Sequence, residues 1–286
     1  MTELLQMLAF GVLRSGLYAL TSVGLALAVG VVGIVNFAHG EYLMLGGFLG
    51  YWAHELYGVD PLLSIPLGAV VLYALGAATY RTSIQRVLRA PPLNQMLLTF
   101  GISIFLQNMA VILWSGDNRT TPVPYGHLSV ALGAIRLGVP QVIVFAVALA
   151  VTAALYLLLD RSRVGKAIQA VAQDRLGASL VGIEVERVYL LAFGISTALA
   201  GVAGVLLVMQ FAISPYVGLL YTLKAFAIIV VAGLGNIRGV VYASLVLGLA
   251  EAFVEFYLPG GSGWSEAVFF VLIFVVLIVR PQGLFR

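Results

Sequence analysis

The chain of 286 residues is 62% hydrophobic and only 9% charged, with a formal net charge of +3. One water-soluble core cannot cover that much apolar surface, which excludes a soluble globular protein. Cysteine is absent, so disulfides, thiol catalysis and cysteine-ligated metals are excluded too.

A spanning helix needs roughly 20 apolar residues, and apolar windows near that length recur at 5–35, 42–57, 61–80, 95–114, 141–159, 188–210, 218–234, 239–257 and 265–279. The runs are continuously apolar instead of alternating, so they predict an all-α polytopic membrane bundle of eight or nine spans and not a transmembrane barrel. The first run is too long, and too directly followed by others, to be a cleaved signal peptide, and it stays in the fold. The 42–57 and 218–234 windows are short enough to be broken, tilted or re-entrant.

Within the first window Arg14 carries a charge to mid-span, at a cost of about 2.5–3.5 kcal/mol on the insertion scale, and calls for a carboxylate partner. Between the first two windows stands NFAHGE, 36–41. Two readings of Asn36, His39 and Glu41 are compatible. They form the wall or gate of a translocation path beside a broken helix, or Asn36 and Glu41 cap a helix end while His39 is hydrogen-bonded within the bundle. Further on, Thr99, Ser103 and Gln107 share one helical stripe at i, i+4 and i+8, suited to interhelical hydrogen bonds or to lining the same path.

Basic residues orient the chain. Arg81, Arg86 and Arg89 follow the third window, and Arg161, Arg163, Lys166, Arg175 and Arg187 fill the segment 160–187. Both segments are therefore cytoplasmic, and Arg238, Arg280 and Arg286 fall on the same side. Nine full spans put the N-terminus outside, whereas one re-entrant window or a split first window puts it inside. The segment 115–140 is then external; its prolines and glycines forbid a continuous helix, and HLSVALGAIRLG suggests a small hairpin.

In the cytoplasmic segment, 164–180 reads as a single amphipathic helix with Ile168, Val171, Ala172, Leu176 and Leu180 on its apolar face, stopped by Gly182. It is placed either on the bilayer surface or in the cleft of a soluble partner. Ala192, Ser196, Ala200 and Gly204 form a small-residue ridge for close helix packing. Gly233, Gly235 and Gly239 mark a tight turn or hinge. Lys224 can snorkel, and Glu251 and Glu255, one turn apart, include the candidate partner of Arg14, namely Glu251.

Chemistry-bearing motifs are missing. RSRVGKA lacks the first glycine and the hydroxyl residue of a phosphate loop, so the chain is not expected to hydrolyse ATP itself. His39, His54 and His127 have no metal-ligand spacing, and no nucleophile elbow occurs. No catalytic residue and no metal site are expected.

Five separated blocks resemble the LivH-like permease subunits of ABC importers for branched-chain amino acids: NFAHGEYLMLGGF, LLTFGISIFLQN, QDRLGASLVGIEVERV, VAGLGNIRGVVYASLVLGLAEAF and RPQGLF. The resemblance covers the chain in order. It implies one transmembrane permease domain over 1–286 in a bacterial cytoplasmic membrane, binding no cofactor itself. The partners it implies are a second, LivM-like permease, two ATPase subunits that use ATP, a periplasmic binding protein and membrane lipid, with no nucleic acid. It further implies that Asp174, Ala178, Gly182 and Ile183 seat on the ATPase, within a coupling segment at 160–187. A urea or short-amide permease shares the NFAHGE-like block and is the nearest alternative. A stand-alone secondary transporter or channel is the other; two inverted halves and no docking helix are what it would show, with Arg14, Glu251 and Glu255 relaying charge.

Overall fold

A computed structural model describes residues 2–133 and 135–285. The nine predicted windows map one to one onto α1 (Thr2–Val32), α2 (His39–Tyr57), α3 (Pro61–Thr79), α5 (Pro92–Trp114), α6 (Val139–Arg161), α9 (Val185–Leu207), α10 (Val217–Ala232), α11 (Gly239–Tyr257) and α12 (Gly261–Val279). Between α3 and α5 the chain runs through a π-helical turn, Tyr80–Ile84, and the single turn α4 (Gln85–Val87). On the other side of the bundle, the predicted hairpin forms from β1 (Ser129–Leu132) and β2 (Ile135–Gly138), paired antiparallel. Among the described residues, six helices are long and apolar enough to cross a membrane unaided, and α2 and α10 are not among them.

Contacts at the helix ends sort the loops onto two faces. On one, Gln85 bonds Glu186 at 2.9 Å, Arg238 pairs with Asp160 at 3.2 Å and Asn236 donates to the Phe285 carbonyl at 2.8 Å. On the other, Gln6 bonds the Arg136 backbone and Tyr125 bonds Asp60 at 3.0 Å. The first face collects the arginine-rich segments; it is the face the positive-inside rule expects in the cytoplasm, and the two faces are named cytoplasmic and external on that expectation. Gln6, against the hairpin, puts the N-terminal end of α1 on the second face; Arg286 lies beyond the described residues. Parity holds because α1 is one unsplit helix and both short windows are broken spans, each completed by non-helical chain, and neither is a re-entrant loop.

Both breaks have the same form. α1 ends on the cytoplasmic side at Val32, and residues 33–38 turn back as non-helical chain, closing in a turn at 37–38, before α2 begins at His39. The His39 ring bonds the Thr21 carbonyl at 2.9 Å, which is about 16 Å back along α1 at 1.5 Å per residue. Six residues out of helix reach at most roughly 20 Å, enough to return to mid-depth. Likewise α9 ends outside, residues 208–216 turn back, and α10 starts inside the bundle, its Gly218 against the first turn of α2.

The two halves are thereby related by inversion. α3 packs along α9 as α1 packs along α11, α2 lies against α9 as α10 lies against α1, and α1 and α9 cross at the centre. Gly24 meets the Ser196 carbonyl there, and the predicted ridge delivers Gly204 against the Leu43 carbonyl of α2. Ala192, Ser196 and Ala200 are fully buried along the same face. This architecture, carried by unrelated side chains in the two halves, was not legible as a repeat in the sequence.

One predicted helix is corrected. The 164–180 run is split at Asp174 into α7 (Arg163–Gln173) and α8 (Arg175–Leu180). Asp174 adopts an extended backbone, φ −150° and ψ 107°, and its carboxylate accepts from the Leu176 N–H, so it caps a second helix instead of continuing the first. The break divides the predicted apolar face. Ile168 and Val171 are buried, while Leu176 and Leu180 are exposed. Gly182, at φ 86°, does end the element in the left-handed region.

Candidate functional site

The hexapeptide occupies the place where the two broken spans meet. Gly40 packs so closely on α10 that a Cβ there would collide with the Gly218 carbonyl and the Thr222 hydroxyl, and a Cβ at Gly218 would collide with the Glu41 carboxylate. The Gly40 N–H donates to Thr222 Oγ1 at 2.8 Å. Thr222 in turn donates toward the carbonyls of Gly218, at 3.0 Å, and Phe37, at 3.3 Å.

Exposed peptide groups at mid-depth need partners, since lipid offers none. Thr99 supplies one by donating to the Val35 carbonyl at 3.0 Å, and Asn36 supplies another by accepting from the Ala38 N–H at 3.1 Å. Phe37 closes the segment by packing on Phe100 and Phe226. The non-helical residues are therefore held by α5 on one side and α10 on the other.

Glu41 is fully buried in the first turn of α2. Ser103 donates to its Oε1 at 3.0 Å, whereas Oε2 has no hydrogen-bond partner among the described residues, in common with His39 Nδ1 and Asn36 Nδ2. Two helix N-termini, each with a partial positive charge, converge on this carboxyl group, the location that favours an acidic side chain. Of the predicted residues, Asn36, His39, Glu41, Thr99 and Ser103 are thus brought together. Gln107 continues the stripe one turn outward, half-buried and hydrogen-bonded to none of them. The sequence reading missed Thr21, Gly218 and Thr222, which lie in uninterrupted apolar runs and gave no local signal. Both earlier readings of the hexapeptide describe parts of it: His39 is bonded in the packed bundle, and the polar groups do lie beside broken helices. Asn36, however, caps a turn at Ala38 instead of α2 itself.

A second cluster of ionisable groups joins α1, α10 and α11. Arg14 pairs with Glu255 at 2.6 Å and with Glu251 at 3.6 Å, which supplies the expected carboxylate partner and makes Glu255 the nearer one. Lys224 does not snorkel. Its side chain is 10% exposed; Nζ donates to Glu251 Oε1 at 2.9 Å and to the Tyr18 hydroxyl at 3.0 Å, and it lies over the Tyr18 and Phe269 rings. The Tyr18 hydroxyl donates to the other oxygen of Glu251. Anchors are short here because α10 enters the bundle at mid-depth, too far from either surface for a lysine stem to reach water.

On the cytoplasmic face, Asp174, Ala178, Gly182 and Ile183 form one compact turn. Ala178 is buried, its N–H donating to the Asp174 carbonyl at 3.0 Å, and the Ile183 N–H donates back to the Ala178 carbonyl at 3.0 Å. Around this turn Leu176, Leu180 and Val181 are 70%, 80% and 77% exposed. Arg175 reaches back over the Tyr189 ring, and its guanidinium packs against Gly33, the first residue of the extended chain that carries the hexapeptide. Gly233 and Gly235, at φ 93° and 86°, shape the turn before α11, and the Gly239 N–H is capped by Asn236 at 2.9 Å.

A lipid-embedded bundle whose broken helices meet at mid-depth, beside buried polar groups and an exposed apolar cytoplasmic knob, defines a membrane transport protein. The family described as branched-chain amino acid transport system / permease component matches residues 7–277. The chain is 34% identical to the high-affinity branched-chain amino acid transport system permease protein BraD of Pseudomonas aeruginosa, over 98% of this chain and 95% of that one. It is 33% identical to the corresponding permease protein LivH of Escherichia coli K12, over 98% and 94%. Similarity to the permease protein LivM of the same organism is lower, 25% over 94% of this chain and 67% of that one. The chain belongs to the branched-chain amino acid transport permease family, and it is a multi-pass membrane permease.

Proposed function

We propose that the chain is one of two membrane subunits of an ATP-driven importer in a bacterial cytoplasmic membrane, translocating leucine, isoleucine and valine delivered by a periplasmic binding protein. A LivM-like permease is its partner in the membrane, and two ATPase subunits supply the energy; the chain itself has no catalytic role and binds no cofactor. The observation that carries this reading is the α8 knob. Three exposed apolar side chains on an arginine-rich face form a surface that a soluble partner can cover, and relatives spanning nearly the whole chain are amino-acid permeases. These relatives favour amino acids over urea or short amides. The inverted halves expected of a stand-alone carrier are present, so that feature does not separate the two classes; the docking element does.

The proposed coupling runs through short contacts. An ATPase that binds one position of α8 more tightly than another biases the permease between two states by that difference. Movement of α8 displaces Arg175, Arg175 bears on Gly33, and the extended chain from Gly33 carries Asn36, His39 and Glu41. The Thr99, Ser103 and Gln107 stripe forms the opposing wall of the path, and the Gly233, Gly235 and Gly239 turn is the hinge for the other half.

Reconstituted uptake tests the reading. Labelled leucine accumulates only with binding protein, partner subunits and ATP, and labelled urea does not; accumulation through this chain alone on a proton gradient overturns the importer assignment. A second experiment addresses the knob. Leu176→Asp combined with Leu180→Asp abolishes co-purification of the ATPase subunits while membrane insertion, followed by protease protection of the external loop, is unchanged. Retained co-purification overturns the docking role.

A further inference from the structure

The ionic cluster between α1, α10 and α11 does more than balance charge, because it borders a cavity of about 180 Å³ in the external half of the bundle. Glu255 lies half a turn before the external end of α11 at Tyr257, and the Arg14 and Glu255 side chains remain 26% and 35% exposed. Within the cluster Arg14 commits one nitrogen, Nη1, to the two carboxylates, and Glu255 commits only Oε2. The rest of the guanidinium fork and Glu255 Oε1 are left for another partner, and the Tyr221 side chain lines the same cavity. Leu17 and Phe211 supply an apolar wall.

The cluster holds two cations, two anions and open space, although each charge withdrawn from water costs desolvation that a packed apolar side chain does not.

A guanidinium fork with a hydroxyl suits a carboxylate, a free carboxylate oxygen suits an ammonium, and the apolar wall suits an aliphatic side chain. The volume lies below the roughly 300–1,000 Å³ of drug-sized pockets, which restricts the ligand to a small molecule. We propose that this cavity is an outward-facing vestibule site for a free α-amino acid in its zwitterionic form, with the carboxylate on Arg14 and Tyr221, the ammonium on Glu255 and the side chain against Leu17 and Phe211. The proposal rests on the amino-acid importer reading and names a place within the permease where the substrate rests. Lys224 fixes Glu251, and Glu251 lies beside the Arg14 nitrogen that pairs with Glu255, so Lys224 and Glu251 are positioning residues.

Equilibrium binding of labelled L-leucine to the permease complex in nanodiscs, without the binding protein, tests it. Saturable binding is expected, competed by unlabelled leucine but not by 4-methylpentanoate, which lacks the ammonium, or by 3-methylbutylamine, which lacks the carboxylate. Tyr221→Phe weakens binding about tenfold, and Arg14→Gln and Glu255→Gln abolish it. Should Arg14→Gln fail to fold, Tyr221→Phe and the cavity-filling Leu17→Trp decide the matter. Absence of saturable binding by wild-type complex, equal competition by either single-charge analogue, or unchanged binding in Tyr221→Phe and Leu17→Trp overturns the vestibule. Uptake assays on the same preparation keep the two ideas apart: leucine uptake without vestibule binding sinks the site alone, and absent leucine uptake sinks the importer reading.

Discussion

Gly40→Val yields no folded permease. The valine Cβ is driven into the Gly218 carbonyl and the Thr222 hydroxyl at the meeting point of α2 and α10, and neither neighbour can yield, since one is backbone and the other holds the Phe37 segment in place. Overpacking a core ordinarily costs about 1–3 kcal/mol because flexible side chains move aside. Here the obstacle is a peptide group between two helix ends, so the cost exceeds that range. Gel filtration in detergent would show aggregate in place of a monodisperse peak. A well-folded variant with intact uptake would mean that the two helix ends do not meet as described.

Lys224→Met destabilises by about 3–5 kcal/mol, the usual result of removing one partner of a buried ion pair. Glu251 is then left buried, its Oε1 without the ammonium it accepts from at 2.9 Å, and Arg14, at 3.6 Å from the other oxygen, does not replace it. Adding Glu251→Gln restores most of the loss, because the remaining Arg14 and Glu255 still neutralise each other at 2.6 Å. Thermal unfolding of the single and double variants measures this. Should the single variant unfold at the wild-type temperature, Lys224 contributes nothing and its place in the cluster is incidental.

Much of the fold was legible because bilayer crossing imposes a length and an apolar composition on every span. All nine windows appear as helices, and the basic segments gather on one face. The shortness of the 42–57 and 218–234 windows did signal broken spans, but composition does not encode how the missing part of each crossing is completed. Residues 208–210 read as the end of one window and 211–216 as the gap before the next. The inverted relation escaped for a related reason: it fixes which helices touch, and glycine-to-backbone contacts such as Gly46 with Gly201 satisfy it without any shared motif. At the site, Asn36, His39, Glu41, Thr99 and Ser103 were found because polar residues in apolar runs are conspicuous. Thr222, inside an apolar run, was not singled out. Lys224 was misread because snorkelling depends on depth, and depth became visible only with the break before α10. The amphipathic 164–180 run was recognised, but the cap at Asp174 competes with helix continuation and won.

The interruption at residues 33–38 also dictates an order of assembly. Carbonyls of Val35 and Phe37 cannot face lipid unsatisfied, and the hydroxyls that accept this duty come from Thr99 and Thr222, far downstream. A nascent chain emerging from the insertion machinery therefore cannot settle its second crossing until α10 has been synthesised, and must keep that stretch sheltered by protein or water for most of translation. The permease is in this sense finished from the middle outward, its earliest polar segment being among the last to find a home.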